Sequence, residues 1–512
     1  MRLSISLLAV ACLSQCVLAE EPIKTSGGLV TGTAAKHESV VCFKGVPFAA
    51  PPVDDLRWKP PQKAALWEGV RDCSEFGPQA LQRRKRGKQS EDCLYLNIWK
   101  PKEANDTPLP VMVWIHGGGF TQGASSLDGY DGTALARRGV ILVSINYRLG
   151  AFGFMAHPEL SNESPNDSSG NYGILDQIAA LEWIQENVAA FGGDPNNVTI
   201  FGESAGGTSV YLLTATPQSR GLFQRAILQS PWLDPAIFRD LKNETEAGPA
   251  VEFDGVEQTQ RALDGNDSES SDLAKLRALT GDEVLKKFKE RWPIATDGWL
   301  FPKSPREIYA AGEQHDIPIL IGTNRDEGTM FAPRNGPESA ELYKDAMVER
   351  FGADADAIVD FYSPKTKDEI RKALTQQITD SWFVQPAREM ARAMDRQSTS
   401  VRMYHFTKPV WGWMGAAHAA EIGYVFGNLN NPQPDDAELS DAFMDYWVQF
   451  AKTGDPNHEA GIEWPNFTMT GDQYLELGAV IKVESGLRKD ACDLLDKVFQ
   501  VDELGKTPAG AQ

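Results

Sequence analysis

The sequence is poor in the residues that most often bind metals, build disulfide frameworks or contact nucleic acids. Its 512 residues include 6 cysteines and 7 histidines, and no group of them has the spacing of a metal site. Lysine and arginine number 50 against 71 aspartates and glutamates, so the formal net charge is −21 at pH 7. This lack of positive charge argues against nucleic-acid binding. A glycine-rich phosphate-binding loop is also missing, so we predict no metal and no cofactor.

Long apolar runs are also missing. The apolar run at the start of the chain is short. Met1-Arg2 gives a positive start, an apolar stretch follows from Leu3, and small residues lead to a cleavage position after Ala19. That pattern is typical of a secretory signal peptide, and its apolar core is too short to span a membrane. We therefore predict a signal peptide over residues 1–19, export to the periplasm or the extracellular space, and no membrane span.

A G-x-S-x-G motif centred on Ser204 is the most informative feature that the sequence does contain. The apolar run Val198–Phe201 precedes the motif, and Gly206–Leu213 can begin a helix. A strand, a sharp turn and a helix form a nucleophile elbow, in which small residues let the backbone bend and lift the serine above the sheet. We predict that Ser204 is a catalytic nucleophile.

A second glycine-rich segment lies upstream of the motif. The apolar strand Leu109–Ile115 runs into His116–Phe120, which contains three consecutive glycines. Without a Cβ atom in the way, the backbone N–H groups of such a segment can point at a substrate carbonyl. We assign the oxyanion hole to the N–H groups of Gly118, Gly119 and Ala205.

A nucleophilic serine also needs a histidine base, which in this architecture follows the serine along the chain. Four histidines follow Ser204: His315, His405, His418 and His458. The first precedes a predicted strand, the second lies within one, and the last follows a surface turn. His418 is the candidate base, because it lies in a loop beyond the last strand where small flanking residues leave its ring room to reach a neighbour.

The acid that orients the histidine is expected at the carboxyl end of a strand, where a site on a parallel sheet collects its groups. The predicted strand Ile317–Gly322 is followed by two adjacent carboxylates, Asp326 and Glu327. The residues alone do not distinguish between them.

Together these motifs resemble the type-B carboxylesterases of the α/β-hydrolase superfamily, which include cholinesterases and bacterial para-nitrobenzyl esterases. The resemblance runs from about Gly28 to Phe499 and includes several further motifs in the family's order: Phe43–Ala49, Ser90–Asn97, Asn146–Arg148, Asp326–Gly328 and Tyr424–Gly427. It implies an α/β fold with a mostly parallel central sheet flanked by helices, and helical insertions over the active site. We predict a single catalytic domain over residues 20–512.

The resemblance also implies roles for individual residues. It implies a Ser204–His418–Glu327 triad, with the glutamate rather than Asp326 as the acid. It further implies that Ser230 forms a hydrogen bond behind the triad.

A disulfide is another implication of the resemblance. Cys93 matches the second cysteine of a loop-closing bridge in the family, and Cys73 is the candidate partner. The basic run Arg83–Lys88 lies between them, and we interpret it as a solvated loop.

Two buried or half-buried ion pairs are implied as well, Arg57 with Glu91 and Arg148 with Asp176.

Residues 234–285 are rich in acidic and polar side chains. They form either part of a helical region over the site or a solvated surface excursion.

The predicted function is hydrolysis of a small-molecule carboxylic ester by an exported serine carboxylesterase, through an acyl-enzyme intermediate. Choline esters are disfavoured, because Leu81–Ser90 lacks the aromatic residue that cholinesterases use there and carries basic residues instead. Amide hydrolysis on the same fold is one alternative. A non-catalytic, neuroligin-like binding protein is the other, and the complete catalytic set argues against it.

Four aromatic residues either line an acyl or alcohol pocket or belong to the core: Trp292, Trp299, Phe301 and Phe331.

Overall fold

The computed structural model describes residues 21–103, 107–263, 272–333, 335–430 and 432–501. The predicted signal peptide, residues 1–19, lies outside this part of the chain. A sheet of eleven strands forms the centre of the described fold. In spatial order, its strands are Lys482–Ser485, Gln473–Leu477, Val401–Phe406, Ile319–Asn324, Arg225–Gln229, Gly193–Glu203, Leu109–Ile115, Ile141–Ile145, Tyr95–Pro101, Val40–Pro47 and Thr33–Ala34.

Most of this sheet is parallel. Seven neighbouring strands, from Gln473–Leu477 to Ile141–Ile145, run in one direction, and antiparallel strands flank them at both ends. Three small sheets lie outside it: Ile23–Lys24 with Leu29–Thr31 and Val70–Asp72, Phe238–Asp240 with Ile294–Thr296, and Gln79–Ala80 with Gln89–Ser90. The predicted α/β fold with a mostly parallel central sheet is confirmed.

Apolar side chains cover both faces of the central strands. In Leu109–Ile115, Val111 and Val113 belong to the core cluster on one face, and Met112 and Trp114 belong to the cluster on the other. A strand buried on both faces has a continuous apolar sequence rather than an alternating one. This is why the strand before the glycine segment is a single apolar run.

Helices pack on both faces of the sheet. The α-helices of the described residues are Thr133–Ala136, Gly150–Phe154, Pro158–Glu163, Tyr172–Asn187, Ala205–Ala215, Val251–Ala262, Asp272–Ala278, Gly281–Lys287, Pro305–Ala311, Ala340–Phe351, Ala355–Tyr362, Lys367–Thr379, Gln385–Asp395, Ile422–Val425, Asp436–Thr453 and Lys489–Val498. None of them is both long enough and apolar enough to cross a bilayer.

The region 234–285 is largely helical where the structure describes it. It contains the helices Val251–Ala262 and Asp272–Ala278 and the start of Gly281–Lys287. Most of the acidic run Asn266–Asp272, which we predict as a loop, falls in residues 264–271, and these lie outside the described part of the chain. The interpretation as a helical insertion fits the described helices better than a simple surface excursion.

Parallel pairing brings several strand ends to one edge of the sheet. Gly202 pairs with Ile115, and Glu203 pairs with Gln229. The glycine segment and the G-x-S-x-G motif therefore leave the sheet side by side at its carboxyl edge, where open α/β sheets bind their ligands.

Both predicted ion pairs are formed. The Arg148 guanidinium lies 2.7 Å from the Asp176 carboxylate, and the two side chains are 3% and 0% exposed. The backbone N–H of Arg148 donates to the same carboxylate at 3.0 Å. Arg57 lies 2.6 Å from Glu91, with side chains 7% and 13% exposed. These pairs hold charges that would be costly to bury alone.

The predicted disulfide between Cys73 and Cys93 is not formed in the described structure. Both residues are buried free thiols, as are Cys42 and Cys492. The backbone around them is anchored to different partners, because the Cys73 carbonyl accepts from the Lys44 N–H and the Cys93 carbonyl accepts from the Asn146 amide. Burial raises the pKa of the Cys73 thiol to about 11, which disfavours the reactive thiolate.

Candidate active site

Ser204 occupies a sharp turn between a strand and a helix. Strand Gly193–Glu203 ends directly before it, and helix Ala205–Ala215 begins directly after it. Its backbone angles, φ 58° and ψ −124°, are unusual for a residue with a side chain and typical of strain held at a functional position. A Cβ on Gly206 would lie 2.0 Å from the Ile115 carbonyl oxygen. The motif therefore needs glycine there to let the helix approach the sheet.

His418 and Glu327 form a buried pair beside this turn. Nδ1 of His418 lies 2.5 Å from Oε2 of Glu327, and the Glu327 side chain is fully buried. The other carboxylate oxygen accepts the Asn324 N–H at 2.7 Å. The rings of Phe331 and Phe383 each lie 4.9 Å from the imidazole, measured between centroids. The histidine is therefore held by a carboxylate on one nitrogen and by aromatic rings at its sides.

Asp326, the alternative acid, points elsewhere. Its carboxylate accepts the Ala416 N–H at 2.8 Å and lies 2.9 Å from the Arg325 guanidinium. These contacts fasten the loop that carries His418, so Asp326 supports the position of the histidine without contacting its ring.

The glycine segment lies against the serine. Gly118 and Gly119 line the same cavity as Ser204, and both have positive φ angles, 109° and 62°. The N–H groups of Gly118, Gly119 and Ala205 donate no backbone hydrogen bond to another residue within the described ranges. They are therefore free to donate to an oxygen bound beside Ser204.

Two buried carboxyl groups near His418 were missed by the sequence analysis. Glu203 directly precedes the serine, and its carboxyl oxygen lies 3.1 Å from Nε2 of His418. Glu421 is fully buried and accepts hydrogen bonds from the side chains of Asn324 at 2.6 Å and Gln229 at 3.0 Å. Their positions in the sequence could have indicated both, since Glu203 directly precedes the serine and Glu421 lies three residues after the histidine.

Burial and charge shift the protonation of this cluster. Burial raises the pKa of the Glu203 carboxyl above its usual range, against the opposing effect of His418. Burial alone would lower the pKa of His418, but the nearby carboxylates of Glu203 and Glu327 outweigh it and raise that pKa. The imidazole is therefore a stronger base than an isolated histidine.

Ser230 does not make the hydrogen bond predicted for it. The residue is buried, but its hydroxyl oxygen has no partner among the residues that the structure describes. The two oxygens of Glu327 are already engaged by Asn324 and His418. The hydrogen bond that the resemblance implies for Ser230 is therefore not made among the described residues.

The cavity above Ser204 has a volume of about 420 Å³ and an aromatic wall. Of the four aromatic residues proposed for a pocket, only Phe331 lines it, together with Trp232 and Trp382, which the sequence analysis missed. The Phe331 and Trp382 rings lie 5.5 Å apart, and those of Trp232 and Trp382 lie 6.0 Å apart. The other three pack against or within the hydrophobic core: Trp292, Trp299 and Phe301.

The strand, sharp turn and helix around Ser204, at the carboxyl edge of a mostly parallel sheet, define the class as an α/β-hydrolase. Comparison with known proteins places the chain within that class. A sequence model of the carboxylesterase family matches residues 19–495, and the chain belongs to this family.

Individual relatives cover almost the whole chain. It is 37% identical to fumonisin B1 esterase of Sphingopyxis macrogoltabida, over 90% of this chain and 87% of the relative. It is also 37% identical to para-nitrobenzyl esterase of Bacillus subtilis, over 90% and 96%. A medium-chain fatty acyl-CoA hydrolase precursor of Anas platyrhynchos is 35% identical, over 92% and 91%. The chain is therefore an enzyme that hydrolyses ester bonds, rather than a non-catalytic member of the fold.

Proposed function

We propose that the protein is an exported serine carboxylesterase with Ser204 as nucleophile, His418 as general base and acid, and Glu327 as the carboxylate that orients the histidine. The observation that carries this proposal is the buried 2.5 Å contact between Glu327 and Nδ1 of His418, beside a cavity that Ser204 and His418 both line. A carboxylate on Nδ1 fixes the tautomer in which Nε2 can accept a proton. Nε2 lies 3.1 Å from the Glu203 carboxyl but makes no hydrogen bond to a described residue, so it can still accept the serine proton.

The reaction follows from these positions. Ser204 Oγ attacks the ester carbonyl while His418 Nε2 takes its proton, and the carbonyl oxygen becomes an oxyanion. The N–H groups of Gly118, Gly119 and Ala205 donate to that oxyanion. The intermediate collapses, His418 returns the proton to the leaving alcohol, and the acyl group stays on Ser204. Water, activated by the same histidine, then releases the acid and restores the serine.

Export is the second part of the proposal. A positively charged start, a short apolar core and small residues before the cleavage position support a signal peptide over residues 1–19. The family match begins at residue 19, where this segment ends. Expression from Met1 of the sequence should give a mature protein that begins at Glu20 and lies outside the cytoplasm. A mature protein that still begins at Met1 would contradict export.

Replacement of the nucleophile tests the catalytic part. Ser204→Ala should lower kcat for a para-nitrophenyl ester by several orders of magnitude, roughly 10⁴- to 10⁶-fold, because loss of the nucleophile removes the acyl-enzyme route. Ser485→Ala is the control, since Ser485 is exposed at the end of the edge strand Lys482–Ser485 and should leave turnover unchanged. Near-normal turnover by a pure, folded Ser204→Ala protein would overturn the assignment.

A further inference from the structure

Three arginine side chains line the active-site cavity without a carboxylate partner. They are Arg84, Arg86 and Arg291. Among the described residues, none of them forms an ion pair; Arg84 contacts the side-chain oxygen of Gln122, and Arg291 lies over the ring of Trp232. A cluster of unpaired cations is unexpected in a protein with a net charge of −21, where carboxylates are abundant. The cavity therefore concentrates positive charge.

The basic run is not simply a solvated loop, because its side chains alternate in direction. Arg83 donates to two backbone carbonyls at the end of helix Gly281–Lys287, at 3.0 and 2.7 Å. Lys85 lies 3.5 Å from an aspartate of the same helix. Arg84 and Arg86, between and after them, line the cavity. Arg83 and Lys85 therefore contact the helical insertion, whereas Arg84 and Arg86 line the cavity.

Hydrogen bonds fix this run to Gly123, in the loop that follows the glycine segment His116–Phe120. The Gln82 side chain donates to the Gly123 carbonyl at 2.9 Å and accepts the Gly123 N–H at 3.0 Å. The Gln89 side chain donates to the Arg84 carbonyl at 2.7 Å. The backbone of the arginines is therefore anchored close to the groups that would bind the reacting carbonyl.

The third arginine lies directly beside that segment. A Cβ on Gly119 would lie 2.9 Å from Nη2 of Arg291, and the Arg291 guanidinium lies 4.6 Å from the centroid of the Trp232 ring. The cation is thus positioned between the predicted oxyanion hole and the aromatic wall, where it can reach a ligand bound against either.

Only one acidic side chain opposes these charges within the described lining of the cavity. That residue is Glu203, at its inner end. Its side chain is 4% exposed and contacts His418, and burial raises its pKa. A bound carboxylate therefore meets three guanidinium groups at the wall and one buried carboxyl group, in contact with His418, at the base.

We propose that the preferred substrates are esters that carry one or more free carboxylates, which Arg84, Arg86 and Arg291 bind while the ester carbonyl lies beside Ser204. The proposal rests on the serine esterase activity proposed above and adds the substrate class. Guanidinium groups suit this task because their planar donors match the two oxygens of a carboxylate. Trp232, together with the rest of the aromatic wall, contacts the apolar part of the same substrate.

Two matched pairs of esters test the charge preference on either side of the ester bond. On the acyl side, mono-para-nitrophenyl glutarate is compared with the para-nitrophenyl ester of glutaramic acid, its neutral amide counterpart. On the alcohol side, 4-acetoxybenzoate is compared with 4-acetoxybenzamide. For at least one pair we expect kcat/KM to be roughly tenfold or more higher for the anion, as a charge-assisted hydrogen bond predicts. The pair with the preference identifies the side that carries the carboxylate.

Variants identify the arginines responsible. Arg84→Gln, Arg86→Gln and Arg291→Gln should each lower the ratio of anionic to neutral kcat/KM. Lys85→Gln is the matched control, because it makes the same charge change in the same run at a side chain that contacts helix Gly281–Lys287 rather than the cavity. Its ratio should stay as in the wild type. Raising the salt concentration should lower the wild-type ratio, since ions screen exposed charges.

The outcomes separate this inference from the proposed function. A wild-type ratio near one for both pairs, or a ratio that all three arginine variants leave unchanged, overturns the substrate class while ester hydrolysis stands. A wild-type protein that cleaves none of the four esters overturns the proposed function, and the substrate class falls with it. A salt-sensitive ratio that falls in the arginine variants but not in Lys85→Gln supports the inference.

Discussion

Glu203 Oε1 lies 3.1 Å from Nε2 of His418, on the imidazole nitrogen that a serine nucleophile must use. The carboxyl group that precedes the proposed nucleophile, Ser204, therefore contacts the proposed base directly. Because Glu327 occupies the other nitrogen, the histidine lies between two carboxyl groups. Each of them favours the protonated imidazole, and only the neutral imidazole can accept the serine proton.

This relationship predicts a pH effect. Glu203→Gln removes a carboxylate that raises the pKa of His418, so that pKa should fall and the neutral base should be present at lower pH. The acid limb of the kcat/KM profile for a neutral para-nitrophenyl ester, measured from about pH 5 to about pH 10, should move to lower pH. Glu182→Gln, at an exposed position of helix Tyr172–Asn187, should leave the profile in place. An acid limb that stays where it is, or moves to higher pH, would show that Glu203 does not act on His418.

The choice of acid gives a second prediction. Glu327→Gln keeps the size of the side chain but removes the negative charge beside Nδ1 of His418. We therefore expect kcat to fall by roughly 10³- to 10⁴-fold. Asp326→Asn should cost less than about tenfold, because an amide oxygen can still accept the Ala416 N–H and hold the loop. Steady-state kinetics with one para-nitrophenyl ester compares them. A larger loss in Asp326→Asn than in Glu327→Gln would reassign the acid.

A third prediction concerns stability away from the catalytic groups. Asp176→Ala leaves the Arg148 guanidinium buried without its partner, and the free energy of unfolding should fall by roughly 3–5 kcal/mol. Asp441→Ala is the control, since it breaks a pair with Arg138 in which the aspartate is 64% exposed, and such pairs contribute about 0–1 kcal/mol. Denaturant unfolding measures both. Equal stability of the two variants would mean that the Arg148 pair contributes no more than a surface pair.

The local sequence was enough to predict those parts of the site whose geometry is set by the backbone. The elbow at Ser204 and the glycine segment at Gly118 are short stretches whose shape is set by small residues and by the strands before them. His418 could be chosen because its loop is made of small residues. The residues alone left Asp326 and Glu327 open, since both follow the same strand and their side chains diverge only through contacts with distant loops.

Features that depend on distant segments were missed or misread. Trp232 and Trp382 face each other from positions far apart in sequence, so neither is recognisable as a pocket residue from its neighbours. The alternating direction of Arg83 and Arg84 depends on a helical insertion some two hundred residues away. The predicted Cys73 bridge came from the family pattern, and nothing in the spacing of the cysteines could show where each thiol is buried.

The most direct test of the central claim is to find which residue carries the covalent intermediate. The protein is treated with a fluorophosphonate, which forms a stable adduct with an activated serine, and is then digested and sequenced by tandem mass spectrometry. We expect stoichiometric labelling of the peptide that contains Ser204, loss of ester turnover in proportion to labelling, and no labelling of Ser204→Ala. An adduct on a different serine, or full ester turnover by the fully labelled protein, would contradict the account.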